Sequence, residues 1–285
     1  VLISLNTLTP TMQDALRRLV AAITEHDGIS PLNESGSMGI DGTREADFFF
    51  MGSRSDPHGF VVCDERDGTL LLGVHPAHRS EGVGAALLTE ALRAHPDSAV
   101  WAFGTLPGGD ALARRLGLTP VRTLLRMERP LRSDEPGGQL PEGYRIVTYT
   151  PDRAAALLAL NARAFAHHPE QGRLTAKEFD DLTRQPWFDA AGFFVLLHGD
   201  DVVGLHWTKR HGDALGEVYL IAVDKAHEGK GLGRALLAHG LAHLAAAGDR
   251  TVQLYVEGDQ DRVVRMYQNA GFRIAQTDTS YRLER

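Results

Sequence analysis

The chain has 285 residues, room for two domains at about 150 residues each, and its 43% hydrophobic and 24% charged residues support packed cores and exclude disordered or collagen-like chains. Thirty lysines and arginines against 37 aspartates and glutamates leave a formal charge of −7, which repels nucleic acid and anionic membrane at long range while permitting a local basic pocket. Cys63 is the one cysteine, no run reaches the roughly 18 apolar residues of a membrane span, and Val1–Asn6 lacks a secretory pattern, so a soluble protein in a reducing cytoplasm is expected; a monomer is the expected assembly, though no sequence feature fixes it.

Thr9-Pro10 opens an amphipathic stretch over Gln13–Ile23 whose spacing predicts a helix with proline in its first turn. Apolar runs at Phe48–Met51 and Phe60–Val62 predict buried strands, with Cys63 a small hydrophobe at the end of the second. Leu70–Val74 feeds the glycine-rich Arg79-Ser80-Glu81-Gly82-Val83-Gly84 and an Ala/Leu helix; a strand over Ser98–Phe103, a helix and a terminal strand follow. The polar, Pro/Gly-rich run from Arg132 to Gly143 reads as a connector, giving a domain over 1–131, a linker over 132–142 and a domain over 143–285. Thr150-Pro151 then restarts the same order: a helix over Asp152–Phe165, strands Phe193–Leu197 and Val202–Trp207 joined by a turn at Asp200-Asp201, and strand Val218–Val223. A second glycine loop, an Ala/Leu helix, strand Thr251–Val256, a helix and a last strand complete it. The fold class is α/β, an α+β mixed sheet covered by helices, built twice.

The duplication is visible directly. Gly73–Leu92 aligns without a gap on Ala222–Leu241, an offset of 149 positions, with His78/His227, Gly82/Gly231 and Gly84/Gly233 among the identities. In the second copy Glu228-Gly229-Lys230-Gly231-Leu232-Gly233-Arg234 joins a strand to a helix, so backbone N–H groups and the positive helix end surround one concavity suited to an anion, with Lys230 or Arg234 adding charge. A tight turn without ligand fits the same residues. Lys230 is followed by glycine rather than Ser or Thr, which disfavours a nucleotide-hydrolysing loop, and Leu236 stands where a dinucleotide fingerprint needs glycine. His167, His168, His206, His211 and His227 show no metal-ligand spacing, so hydrogen-bonding or surface histidines and no metal are expected.

The strand, the glycine turn and the following helix resemble the coenzyme A loop of the GNAT superfamily of acyl-CoA N-acyltransferases. The resemblance implies two tandem GNAT-like domains and acetyl-CoA as acetyl donor, its diphosphate on Glu228–Arg234 and its pantetheine arm along Ile221, Ala222 and Val223. The first-copy counterparts are Leu72, Gly73 and Val74 with Arg79, Ser80, Glu81, Gly82, Val83 and Gly84. Arg79 keeps the family's Gln/Arg position, whereas Glu228 departs from it. Gln260 to Phe272 resembles the family's second segment, with Gln260 where asparagine is usual and Arg265 as a further coenzyme contact.

Tyr267 in that segment is placed to give a proton to a departing thiolate, and Glu217 at a strand start to take one from an attacking ammonium. The bland alternatives are a core tyrosine and a solvated carboxylate. The repeat offset maps Glu217 onto Gly68, and aligning Ala270-Gly271-Phe272 with Leu116-Gly117-Leu118 maps Tyr267 onto Ala113. The first copy therefore lacks both proton-transfer groups and is expected not to catalyse, with coenzyme binding there left open.

Ala164–Gly172, Leu205–Lys209 and Leu215–Tyr219 are similar to a tandem branch of the superfamily that acetylates the cysteinyl amine of cysteinyl-glucosaminyl-inositol, completing an actinobacterial thiol. That resemblance implies an acceptor pocket of Glu34, Glu170, Lys209, Glu217 and Tyr255, with Tyr267 as the acid. An acetyltransferase of another amine such as an aminoglycoside, and a non-catalytic acetyl-CoA sensor, remain as alternatives.

Overall fold

The computed structural model describes residues 2–166 and 174–284. In chain order its elements are β1 (Leu2–Leu5), α1 (Pro10–Asp27), α2 (Glu34–Asp41), β2 (Asp47–Gly52), β3 (Pro57–Asp64), β4 (Thr69–Val74), α3 (Val83–Ala94), β5 (Ala99–Ala102), α4 (Pro107–Arg115) and β6 (Leu118–Pro130). The second series is β7 (Tyr144–Thr148), α5 (Ala154–Ala164), α6 (Ala176–Thr183), β8 (Phe193–His198), β9 (Asp201–Arg210), β10 (Leu215–Val223), α7 (Leu232–Ala246), β11 (Thr251–Glu257), α8 (Asp261–Asn269) and β12 (Arg273–Leu283). Among the described residues no helix is long and apolar enough to cross a membrane.

Two compact units divide the chain, and they are not contiguous halves. The first comprises Val1–Leu125, Val256–Val264 and Ala275–Arg285, the second Arg126–Tyr255 and Arg265–Ile274. The boundaries at 131 and 143 suggested by the linker composition therefore give way to an interleaved division. Its cause is strand pairing: the end of β12 lies antiparallel on β5, with Thr279 opposite Ala102 and Tyr281 opposite Val100, completing the first unit's sheet. Asp278, buried, accepts from the Gly104 N–H at 2.8 Å, and Thr105 Oγ1 donates to the Thr277 carbonyl at 2.8 Å. That capped 3₁₀ turn, Phe103–Thr105, is where the strand expected to reach Phe103 ends.

In the first unit the strands run β1-β2-β3-β4-β5-β12, with β4 and β5 parallel. α1 starts at Thr9, whose side chain accepts from Met12 N, and stops at the left-handed Gly28. Its buried Met12, Leu16, Leu19 and Ile23 meet Phe48, Phe50, Phe60 and Val62 on one sheet face. Phe49, Val61 and Cys63, the alternate residues, point to the other face and pack on Leu87, Leu88 and Ala91 of α3. Cys63 is fully buried, and burial pushes its thiol up to about 12, so it behaves as the expected small hydrophobe.

The second unit repeats this plan. Phe193, Val195, Leu205 and Trp207 pack against α5 and α6 on one face, while Phe194, Leu196 and Val203 pack against Leu232 and Leu236 of α7 on the other. The β8–β9 turn is Gly199-Asp200, one residue earlier than Asp200-Asp201, because Gly199 adopts the positive φ (60°) that a two-residue hairpin requires.

His206, fully buried on the α7 face, bonds through Nδ1 to the Leu236 carbonyl at 2.8 Å. α7 makes room for the imidazole with Gly240, where a Cβ would lie 2.1 Å from Cε1 and 2.5 Å from Nδ1 of His206. Gly240→Ala in a helix interior would ordinarily stabilise by about 1 kcal/mol. Here the clash should reverse the sign, with a net loss of about 2 kcal/mol in urea unfolding, relieved when His206 is also cut to alanine.

Candidate active site

β10 and β11 run parallel and paired only from Leu215 opposite Thr251 to Val218 opposite Leu254. Both strands continue, to Val223 and Glu257, so they splay apart. Beyond Val218, β10 is laddered on its β9 side, with Ile221, Ala222 and Val223 opposite His206, Leu205 and Gly204. The edge towards β11 lies open along the residues to which the family resemblance gives the pantetheine arm. The first copy repeats the splay, since β4 pairs with β5 only over Thr69–Leu71.

At the splay β10 carries a β-bulge: the register with β9 shifts between Val218 and Leu220, leaving Tyr219 as the extra residue. The bulge inverts the alternation. Gly216 faces Leu244 of α7 and Glu217 the opposite side, whereas after the bulge Leu220 and Ala222 face the α5/α6 core and Ile221 and Val223 the α7 side. The bulge also corrects the comparison between copies. β4 holds unbroken register with β3 from Thr69 to Val74, so Tyr219 has no counterpart and the residues before it shift by one. Glu217 then matches Thr69, not Gly68. Thr69 is buried, and its hydroxyl has no hydrogen-bond partner among the described residues. The first copy still has no carboxylate at this place, and its Ala113 is a buried helix residue on α4.

Glu217 lies opposite Lys209 on β9 and Gln253 on β11, so the three side chains form one row on the same sheet face. Tyr255, two residues beyond Gln253 and 48% exposed, extends this face. Glu217 is only 8% exposed, yet its Oε2 accepts from Gln253 Nε2 at 3.0 Å and lies 2.7 Å from His211 Nε2. Lys209 Nζ sits 4.5 Å from the centre of the Trp187 ring and 5.5 Å from that of Tyr219, a cation–π seat that holds its charge beside the row. Sequence reading missed Gln253, Trp187 and the place of His211 beside Glu217. Gln253 was legible in principle, as the one amide side chain in the strand predicted over Thr251–Val256.

The glycine loop ends at Gly231, which caps α7 in a left-handed conformation (φ 77°) with no side-chain cap. The first-turn amides of α7 thus lack side-chain partners and face an anion-sized concavity at the positive helix end. Lys230 Nζ is bonded to the Tyr144 hydroxyl at 2.9 Å, and that hydroxyl to His227 Nδ1 at 2.8 Å. Arg234, exposed, is the charge that lines a cavity of about 600 Å³ together with Lys230, Gly231, Gln139, Leu140 and Pro141. The connector therefore forms one wall of the cradle. The open strand edge suits the pantetheine arm of acetyl-CoA, and the uncapped helix end with its cavity suits the diphosphate.

In the first copy Gly82 caps α3 in the same way (φ 84°) and Ser80 is also left-handed (φ 63°). Arg79, however, is committed: it bonds Asp27 at 2.7 and 2.8 Å and the Val74 carbonyl at 3.2 Å, and holds the Asp27 carboxyl below its usual range. Glu81 meets His78 Nδ1 at 3.1 Å. Gly73 is filled from the core side, a Cβ there lying 2.6 Å from the Phe60 ring.

Tyr267 is buried on α8, its ring 5.7 Å from Phe272, and burial alone pushes its phenol well above the ordinary value. Among the described residues its hydroxyl makes no hydrogen bond. Gln260 precedes α8 and its carbonyl accepts from Val263 and Val264; Arg265 is exposed on the helix. Glu34 is the first residue of α2, in the first unit. Glu170, His167 and His168 lie outside the described residues. His206, His211 and His227 are hydrogen-bonded to protein groups, as expected. One group the sequence did not signal, Asp47, Glu65 and His95, brings ligand-type atoms within 4.8 Å of one another.

A mixed sheet splayed beside a bulge, with an uncapped helix end at the mouth of the splay, defines an acyl-CoA N-acyltransferase of the GNAT type. Residues 158–272 match the acetyltransferase (GNAT) family. The fold is similar to that of a GCN5-related N-acetyltransferase from Sphaerobacter thermophilus, with TM-score 0.77 and 21% identity over 98% of this chain and 94% of that one. It is also similar to a tandem GNAT protein from the clavulanic acid biosynthesis pathway, with TM-score 0.71 and 16% identity over 99% and 98%. In sequence the chain is 42% identical to the mycothiol acetyltransferase of Propionibacterium freudenreichii subsp. shermanii, over 94% of this chain and 88% of that protein. It is 40% identical to that of Mycolicibacterium paratuberculosis, over 96% and 95%. The chain belongs to the mycothiol acetyltransferase family and is an acetyl-CoA-dependent N-acetyltransferase.

Proposed function

We infer that the chain transfers acetyl from acetyl-CoA to the cysteinyl amine of cysteinyl-glucosaminyl-inositol, the activity of a mycothiol synthase. The observation that carries the acceptor is identity near 40% with mycothiol acetyltransferases along almost the whole chain. The chemistry follows from Glu217 and Tyr267. An amine arrives as its ammonium form, whose nitrogen has no lone pair until a proton leaves. Glu217 Oε1, which makes no hydrogen bond among the described residues while Oε2 is bonded, takes that proton directly or through a water. Nitrogen then bonds to the thioester carbonyl carbon, the C–S bond breaks as the Tyr267 hydroxyl gives its proton to the leaving sulfur, and the second proton that the nitrogen sheds on becoming an amide restores the phenol, directly or through water. Burial raises the phenol's pKa, so that proton is present at neutral pH.

Lys209, Tyr255 and Glu217 contact the acceptor in this reading, a carboxylate and a cation suiting an amine beside sugar hydroxyls. The first copy keeps an anion-binding turn and supplies neither proton-transfer group. Thiol release from acetyl-CoA with cysteinyl-glucosaminyl-inositol, and not with aminoglycosides, is the expected assay result; release with the drug amines, or tight coenzyme binding without turnover, overturns it. Tyr267→Phe should lower kcat about a hundredfold with acetyl-CoA affinity unchanged. A parallel loss of affinity would make the tyrosine a packing residue.

A further inference from the structure

We propose that His211 is a positioning residue that fixes the carboxylate of Glu217, an inference that rests on the reading of Glu217 as proton acceptor. Both hydrogen bonds to that carboxylate end on one oxygen. His211 Nε2 and Gln253 Nε2 reach Oε2 from the two flanking sides of β10, at 2.7 and 3.0 Å. A carboxylate oxygen only accepts, so the imidazole carries a proton on Nε2 and donates it. Two donors converging on Oε2 lock the side-chain torsion and leave Oε1 as the oxygen open to a substrate proton. Gln253 is buried within the sheet, whereas the His211 side chain is 33% exposed, at the end of β9, and has to be aimed from a turn.

The turn is built for this. His211 N donates to the Leu215 carbonyl at 2.8 Å, closing a tight β9–β10 connection in which Asp213 and Ala214 both adopt left-handed backbone (φ 62° and 60°). Such a conformation is unfavourable for a residue with a Cβ, and two in succession persist only where surrounding contacts impose them. Those contacts are present: the Ala214 carbonyl accepts from Arg250 N at 2.8 Å and Thr251 N at 3.3 Å, tying the turn to the start of β11. Strand β11 therefore holds Glu217 twice, directly through Gln253 and indirectly through the turn that presents His211.

The test is a double-mutant cycle in the full chain, read as kcat and KM. His211→Phe keeps the ring volume and removes the donor; His211→Gln places an amide N–H near the position of Nε2. His211→Phe should lower kcat about tenfold with KM for acetyl-CoA unchanged, and His211→Gln should stay within about twofold of the parent. Placed in Glu217→Gln, His211→Phe should cost less than a further twofold, because the group it positions is gone. The same tenfold loss in both backgrounds, or equal loss in the Phe and Gln variants, overturns the proposal. If Glu217→Gln alone leaves kcat unchanged, the acceptor role of Glu217 fails first, and that result is separate from any effect at His211.

Discussion

Replacing Glu217 by glutamine is expected to lower kcat about a thousandfold and to leave the dissociation constant for acetyl-CoA within about twofold. The substitution keeps size and shape, and an amide oxygen can still accept from Gln253, so the row Lys209–Glu217–Gln253 should remain assembled. What it removes is the basic oxygen. The coenzyme lies, in this reading, on the open edge of β10 and the first turn of α7, which Glu217 does not form, so binding and turnover should separate. Equilibrium binding of acetyl-CoA measured beside steady-state thiol release decides the matter; a kcat loss below tenfold would leave Glu217 a buried sheet carboxylate. Thr69→Glu in the first copy, at the position that matches Glu217 once the bulge is removed, should not create turnover, because Ala113 still offers no acid.

Acidification should cost the fold roughly 3 kcal/mol through one side chain. Burial lowers the imidazole of His206 from 6.5 to about 4, since no charge can be hydrated in the space between β9 and α7. Between those values the unfolded chain binds a proton that the folded chain refuses. Stability is therefore whole above pH 6.5, falls as the pH drops through the window, and levels off below about 4. Urea unfolding followed from pH 7 to pH 4 should show this slope, and His206→Gln should flatten it. Asp27, held below its usual range by Arg79, loses its contribution only at lower pH, in a separate part of the curve. An unchanged slope in His206→Gln would assign the acid sensitivity elsewhere.

Much of this was legible before any coordinates. The glycine turns announce themselves because Gly82 and Gly231 need a left-handed cap, and the duplicated order of strands and helices follows from periodicity and punctuation. Glu217, Lys209 and Tyr255, which the resemblance assigns to an acceptor pocket, lie on one sheet face. What escaped has physical reasons. A bulge inserts one residue without altering composition, so the gapless offset set Glu217 against Gly68 instead of Thr69. α2, Glu34–Asp41, is short and contains two glycines and two serines; it forms because Asn33 caps it and Ile40 packs into the first unit's core, neither of which is a local pattern. The pairing of β12 with β5 joins residues more than 170 positions apart and leaves no trace in either segment.

That last pairing sets a schedule for synthesis. A nascent chain can release β1 through α4 from the ribosome early, yet β5 waits for its neighbour until Thr279–Tyr281 have been made, so the amino-terminal sheet spends that interval with an unsatisfied border. Cutting the gene at the connector would separate that sheet from its own closing strand, and removing Ala275 onward should unfold the amino-terminal unit sooner than the unit whose sequence lies nearer the cut.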